Sequence, residues 1–234
     1  MNENTMFSAI ILAGGSASRM NGINKQMALL DGIPVVIRSA LAFQDCPLVS
    51  EIILAVPKGE EERYRALCAE YSVTKLKAVT AGGATRFLSV KNALAKASAE
   101  CGYISVHDGA RPLITPEDIG RVLNDAVQYG GSIAAAPVTD TIKRCRNGSV
   151  EATADRSALF AAQTPQAFRK SLYLSCIDKL GSRADGLTDD SALLELCGEP
   201  VHITEITACN LKITRPQDLA IAQAVLRRPA MKSQ

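Results

Sequence analysis

The stretch Ala9-Ile10-Ile11-Leu12-Ala13-Gly14-Gly15-Ser16-Ala17-Ser18-Arg19-Met20, with Asn24-Lys25-Gln26 close behind it, decides how the rest of the chain is read. An apolar run of strand length stops abruptly at two glycines, and small residues follow. Glycine lets a backbone approach a ligand closely. A loop of successive N–H groups leading into a helix forms a natural cradle for phosphate oxygens. Arg19 and Lys25, six positions apart, place two cations beside that cradle. The same pattern also describes an ordinary strand-to-helix turn with two surface cations, so the stretch needs support from elsewhere.

Support comes from the alternation that follows. Residues 35–43, 60–71, 85–99 and 115–130 have helical composition. Apolar runs at 51–56, 76–81, 103–106 and 132–136 have the length of strands. Thr115-Pro116-Glu117-Asp118 is a good helix start, with a Thr cap, Pro in the first position and carboxylates in the first turn. Solidly apolar strands between helices predict an α/β, Rossmann-like, mostly parallel sheet with helices on both faces. The pattern breaks at 138–157, where two alternating segments flank Asn147-Gly148, a strong hairpin signal. This predicts a β-hairpin arm projecting from the domain, and a hairpin of two strands seldom holds alone. Beyond it the expectations are a short strand at 159–162, helices at 169–180 and 189–197, a strand at 201–206 and a last helix at 216–227. One domain over residues 1–234, carrying one arm, accounts for the whole chain.

Composition narrows the function. A net charge of +2 over 234 residues gives no reason to expect a nucleic-acid or membrane partner. The N-terminus lacks the pattern of a signal peptide, and no apolar run reaches the length of a membrane span. Seven scattered cysteines without a C-x-x-C, and two histidines, argue against a zinc site and for free thiols in a reducing cytoplasm. No G-x-x-x-x-G-K-[ST] loop and no G-x-S-x-G elbow occurs.

In an open α/β sheet, ligands bind outside the carboxyl ends of the strands. The unusual polar residues fall at those ends: Gly82-Gly83-Ala84-Thr85-Arg86 with Ser89, His107-Asp108-Gly109-Ala110-Arg111-Pro112, Asp140-Thr141, Gln163-Thr164-Pro165-Gln166 and Asn210-Leu211-Lys212. Asp108 suits a divalent cation or a ribose hydroxyl, or else it pairs with Arg111. His107 reads as structural, and Asp189-Asp190 as helix capping. A phosphate cradle, several cations and one well-placed carboxylate fit displacement at phosphorus, where positioning and charge stabilisation dominate.

Taken together and in order, residues 12–20, Lys25-Gln26, Val106 to Pro112, Pro137 to Lys143, Ala162 to Gln166 and Asn210 to Leu219 resemble the 2-C-methyl-D-erythritol 4-phosphate cytidylyltransferases, a branch of the sugar-phosphate nucleotidyltransferases. The resemblance implies transfer of CMP from CTP to a polyol phosphate with loss of pyrophosphate, a divalent cation such as Mg²⁺, and a homodimer joined through the arms. It implies Arg19 and Lys25 as transition-state stabilisers. Arg156, Lys212, Thr141, Thr164 and Arg111 would position the acceptor. Ala13, Gly14, Gly15, Ser16, Gly82, Arg86, Ser89 and Asp108 would bind nucleotide, with Asp108 also near the metal. Ala84, Met27 and Gly109 depart from residues common in the family, and none removes a charge the mechanism needs. The small Gly109-Ala110 pair favours the methylerythritol branch over the sister ribitol-5-phosphate cytidylyltransferases. An inactive nucleotide-binding regulatory domain would be expected to have lost Arg19, Lys25 or Lys212, and all three are present.

Overall fold

A computed structural model describes residues 5–14, 24–206 and 209–227. Gly15, Ser16 and Arg19 lie outside the described residues. The chain runs β1 (Phe7–Leu12), β2 (Leu29–Leu30), β3 (Ile33–Pro34), α1 (Val35–Gln44), β4 (Val49–Val56), α2 (Glu61–Glu70), β5 (Leu76–Ala81) and α3 (Arg86–Leu94). It continues through β6 (Tyr103–Asp108), α4 (Pro116–Tyr129), β7 (Gly131–Pro137), β8 (Lys143–Arg146), β9 (Ser149–Thr153), β10 (Phe160–Arg169), α5 (Lys170–Leu180), α6 (Ser191–Cys197), β11 (His202–Glu205) and α7 (Pro216–Leu226).

Seven strands form one sheet in the order β11-β7-β10-β6-β1-β4-β5. Only β10 runs against its neighbours β6 and β7, and every other pairing in this sheet is parallel. The solid hydrophobicity of the central strands follows from burial on both faces. In β1, Phe7, Ala9 and Ile11 join the apolar layer under α1, α2 and α4, while Ile10 joins the layer under α3, α5 and α6. The α4 start behaves as its residues predict: Thr115 accepts a hydrogen bond from the Asp118 N–H, Pro116 opens the helix, and Gly130 closes it at φ +89°.

Two expectations differ from the structure. The strand expected at 159–162 is β10, which continues to Arg169 and is antiparallel to β6 and β7. Its register against β7 shifts between Ala162 and Gln166, around Pro165, which has no N–H to give to the ladder. The helix expected at 85–99 ends at Leu94. Ser98 is drawn instead onto Glu51, donating from its N at 2.7 Å and from its Oγ at 2.5 Å. Glu51, in β4, also accepts from Ser8 Oγ of β1 at 2.6 Å and pairs with Lys77 of β5 at 3.0 Å. One buried carboxylate therefore ties three strands and a loop at the amino edge of the sheet.

At 143–153 the Asn147-Gly148 turn has both residues at positive φ, +50° and +80°, and joins β8 to β9. Nearly every residue of this ribbon is exposed, including Val150, and so are Ile142 and Phe160 at its base.

Candidate active site

The chain order of the sheet reverses between β1 and β6: connections run to one side from β1 through β4 to β5, then return to β6 on the other side of β1. Crevices form at the carboxyl ends of strands flanking such a point. Here Leu12, the end of β1, stands opposite Asp108, the end of β6, and the Gly109 N–H donates to the Leu12 carbonyl at 2.9 Å. A cleft of roughly 510 Å³ opens above them. Its lining includes Gly14, Lys25, Arg86, Ser89, Asp108 and Lys212, drawn from four separate segments of the chain.

Asp108 is the electrostatic centre. Lys212 Nζ lies 2.8 Å from its Oδ2, and Arg111 Nε lies 3.4 Å from the same oxygen. Burial works to raise the carboxyl pKa, but Lys212, then Arg86 and Arg111, hold it down to about 2. The side chain is therefore ionised throughout the physiological range. The pairing with Arg111 that the sequence allowed does occur. It coexists with a place in the cleft wall.

A buried scaffold supports this carboxylate. Thr164 Oγ1 of β10 accepts from the Asp108 N–H at 3.0 Å and lies 3.1 Å from His107 Nδ1. His107 Nε2 lies 3.2 Å from the Arg111 carbonyl, which can only accept. The proton therefore sits on Nε2, and Nδ1 accepts from the Thr164 hydroxyl. Burial, with help from Arg111 and Lys212, pushes the imidazole down to about 4. Its role is structural, as read from the sequence. Acidification from about 6.5 to about 4 adds protons to this group in the unfolded chain but not in the folded one, so stability falls across that window. Asn210 closes the scaffold: its Nδ2 donates to the Thr164 carbonyl at 2.8 Å, and its own carbonyl accepts from Arg111 Nη1 at 2.8 Å. Lys212, two residues on, is thereby held over Asp108.

The loop after β5 forms the facing wall. Thr85 caps α3 through the Leu88 N–H. Ser89 Oγ accepts from the Gly83 N–H at 2.9 Å and donates to the Thr85 carbonyl at 2.9 Å. A Cβ on Gly83 would come within 2.4 Å of Leu88 Cβ, so the close turn requires glycine there. Ser89 thus lines the cleft and stitches the loop at once. Gly109 is similarly confined, because a Cβ would stand 3.0 Å from the Leu12 carbonyl oxygen.

The other expected site residues are placed as follows. Ala13 is buried at the end of β1, and Gly82 precedes the glycine that reaches the cleft. Thr164, buried, and Arg111, largely covered, brace Asp108 from beneath rather than lining the cleft. Thr141 and Arg156 are exposed on the arm, and Arg156 Nη1 donates to the Thr139 carbonyl at 2.8 Å. Gln26, Thr85 and Thr214 line the cleft without having been assigned a site role. All three belong to motifs quoted from the sequence, which was the available signal. Among the described residues, no group of three or more His, Cys, Asp or Glu gathers as a metal cluster, and Asp108 is the one acidic side chain of the cleft lining. No helix among the described residues is long and apolar enough to cross a membrane.

Comparison with known proteins points the same way. A family model described as "IspD: 2-C-methyl-D-erythritol 4-phosphate cytidylyltransferase" matches residues 7–228. A protein of that name from Geobacillus kaustophilus is 41% identical over 221 residues, covering 94% of this chain and 96% of its own. A "Bifunctional enzyme IspD/IspF" from an Anaeromyxobacter strain is 44% identical over 225 residues, covering 94% of this chain. The chain spans 57% of that longer relative. Among solved structures, the 4-diphosphocytidyl-2C-methyl-D-erythritol synthase of Anaerococcus prevotii superposes with a TM-score of 0.85 at 29% identity, covering 97% of this chain and 98% of its own.

Proposed function

Because the chain belongs to the 2-C-methyl-D-erythritol 4-phosphate cytidylyltransferase family, we propose that its cleft transfers CMP from CTP to 2-C-methyl-D-erythritol 4-phosphate, releasing pyrophosphate. The observation that carries this reading is the convergence of Lys25, Arg86 and Lys212 around Asp108 at the reversal between β1 and β6. These cations line the place where two polyanions must meet.

The chemistry asks little else of the protein. A phosphate oxygen of the acceptor attacks the α-phosphorus of CTP. The bond from that phosphorus to the bridging oxygen breaks, and pyrophosphate leaves with the electron pair. The nucleophile is already anionic, so no general base is needed, in keeping with a buried and neutral His107. Lys25 and Arg19 offset the charge gathering at the α-phosphate. Ala13, Gly14, Gly15, Ser16, Gly82, Arg86 and Ser89 hold the nucleotide, while Lys212, held in place through the Asp108 scaffold of Arg111 and Thr164, positions the acceptor phosphate together with Thr141 and Arg156. The last two are on the arm and outside the lining of the single-chain cleft.

Magnesium takes only one or two carboxylates from a protein when substrate phosphates supply the remaining oxygens. A lone Asp108 at a cation-rich cleft is a donor set of that kind. Asp108 would hold the ion, which would neutralise part of the triphosphate charge. The homodimer reading rests on the arm: Ile142, Val150 and Phe160 are exposed on or beside a two-stranded ribbon that needs a surface to pack on. Seven free cysteines agree with a reducing cytoplasm.

Pyrophosphate release with CTP and Mg²⁺ tests the acceptor. Release with methylerythritol phosphate and little with ribitol 5-phosphate is expected. The reverse preference would overturn the assignment.

A further inference from the structure

Asp189 and Asp190 read in the sequence as two capping carboxylates, but only one of them caps. Asp189 Oδ1 accepts from the Ala192 N–H at 3.2 Å, at the start of α6. Asp190 turns inward and is 2% exposed, with Oδ2 only 2.5 Å from Arg86 Nη1. Its other oxygen accepts from the Tyr173 hydroxyl at 2.9 Å. The backbone that carries it is pinned by Gln166 of β10, whose Oε1 accepts from the N–H groups of Asp190 and Ser191 at 2.8 and 3.0 Å. Gln166 Nε2 donates to Asp189 at 3.1 Å. An ion pair whose carboxylate is buried is an expensive way to join elements, since apolar residues of similar volume do it as well or better. Arg86 shows what the pair is suited to. It is the first residue of α3, its side chain is 24% exposed, and it faces the cleft beside Asp108 and Lys212.

We propose that Asp190 is a positioning residue for the nucleotide: braced by Gln166 and Tyr173, it occupies one amino group of the Arg86 guanidinium so that the remaining donors of the fork face the triphosphate of CTP. This rests on the cytidylyl-transfer reading above. Guanidinium groups recognise phosphate through fixed, directional donors, so orientation matters as much as charge. Without Asp190, the cleft carboxylate facing Arg86 is Asp108. Pairing there would draw the guanidinium across the cleft and into competition with Lys212.

The test is steady-state kinetics with CTP and methylerythritol phosphate on the wild type, Asp190→Asn, Tyr173→Phe, Arg86→Gln and the Arg86→Gln/Asp190→Asn double variant. Asp190→Asn should raise the KM for CTP about tenfold, the scale of one charge-assisted hydrogen bond, and leave the KM for the acceptor within about twofold. Tyr173→Phe keeps the ion pair, and so keeps the fold, while loosening its anchor. It should move the CTP KM in the same direction by less. In the Arg86→Gln background, Asp190→Asn should add nothing, because the partner it positions is gone. An unchanged CTP KM, an equal rise in both KM values, or a full Asp190→Asn effect without Arg86 would each overturn the proposal. An active wild type separates those outcomes from failure of the functional reading, whereas a wild type inert toward CTP would overturn both together.

Discussion

Lys25→Ala is expected to lower kcat about a hundred- to a thousandfold, the loss seen when one preorganised donor to a developing oxyanion is removed. Lys25 lines the cleft on the segment that follows the β1 loop, on the opposite side of Asp108 from Lys212 in the chain. Charge at the α-phosphate grows as the acceptor oxygen approaches and before pyrophosphate has left. A cation placed there interacts more strongly with the transition state than with bound CTP, so the loss should fall on kcat and kcat/KM together. Lys25 is half-buried and lies outside the regular elements, so the thermal midpoint should stay close to that of the wild type. Initial rates at saturating substrates, alongside a thermal melt, check both halves. A folded variant with wild-type kcat would remove Lys25 from the reaction.

The second large effect is on stability, at the opposite edge of the sheet. Glu51→Ala should destabilise the protein by about 3–5 kcal/mol, because it strands the groups that the buried carboxylate satisfies. Ser8 Oγ, Ser98 N and Oγ, and Lys77 Nζ all converge on it. For a chain of this length that is a fall of about 10 °C in the thermal midpoint. The effect carries a pH signature. Burial works to raise the Glu51 pKa, but the bonds from Ser8, Ser98 and Lys77 take it down to about 2, from an ordinary 4.5. A depressed folded-state pKa contributes stability that is present above the ordinary value and lost as pH falls toward the folded one. Urea midpoints at pH 7 and pH 3 should therefore show a wide gap between wild type and variant at neutral pH, and a narrower one in acid. A constant gap would mean that the charge of Glu51 does not matter.

The sequence was most legible where local chemistry and tertiary structure agree. The cap, proline and closing glycine of α4 are local, and so is the Asn147-Gly148 turn. The mostly parallel sheet followed from strands such as Glu51–Val56, which are apolar on both faces because both faces are buried. Legibility failed where a distant partner overrode the local signal. Residues 95–99 have helical composition, yet Ser98 is claimed by Glu51 from another strand. Gln163-Thr164-Pro165 looks like the end of a strand. The chain instead continues through it, because the Thr164 hydroxyl takes the Asp108 N–H in place of a ladder bond.

The candidate site divides in the same way. Lys25, Asp108 and Lys212 were legible as polar residues at strand ends, and the structure brings them to one cleft. The Arg86–Asp190 pair was not, since a buried carboxylate and a capping one look identical in Thr188-Asp189-Asp190-Ser191. Only the inward turn beside Tyr173 distinguishes them.

The fate of a labelled phosphate tests the central claim most directly. With CTP labelled at the α-phosphorus, methylerythritol phosphate and Mg²⁺, the account predicts that the label appears in a cytidine diphosphate ester of the sugar and that the pyrophosphate formed alongside is unlabelled. CTP labelled at the γ-phosphorus should give labelled pyrophosphate and an unlabelled sugar product. Label passing from the γ position to the sugar, with CDP as the second product, would contradict attack at the α-phosphorus and with it the role assigned to this cleft.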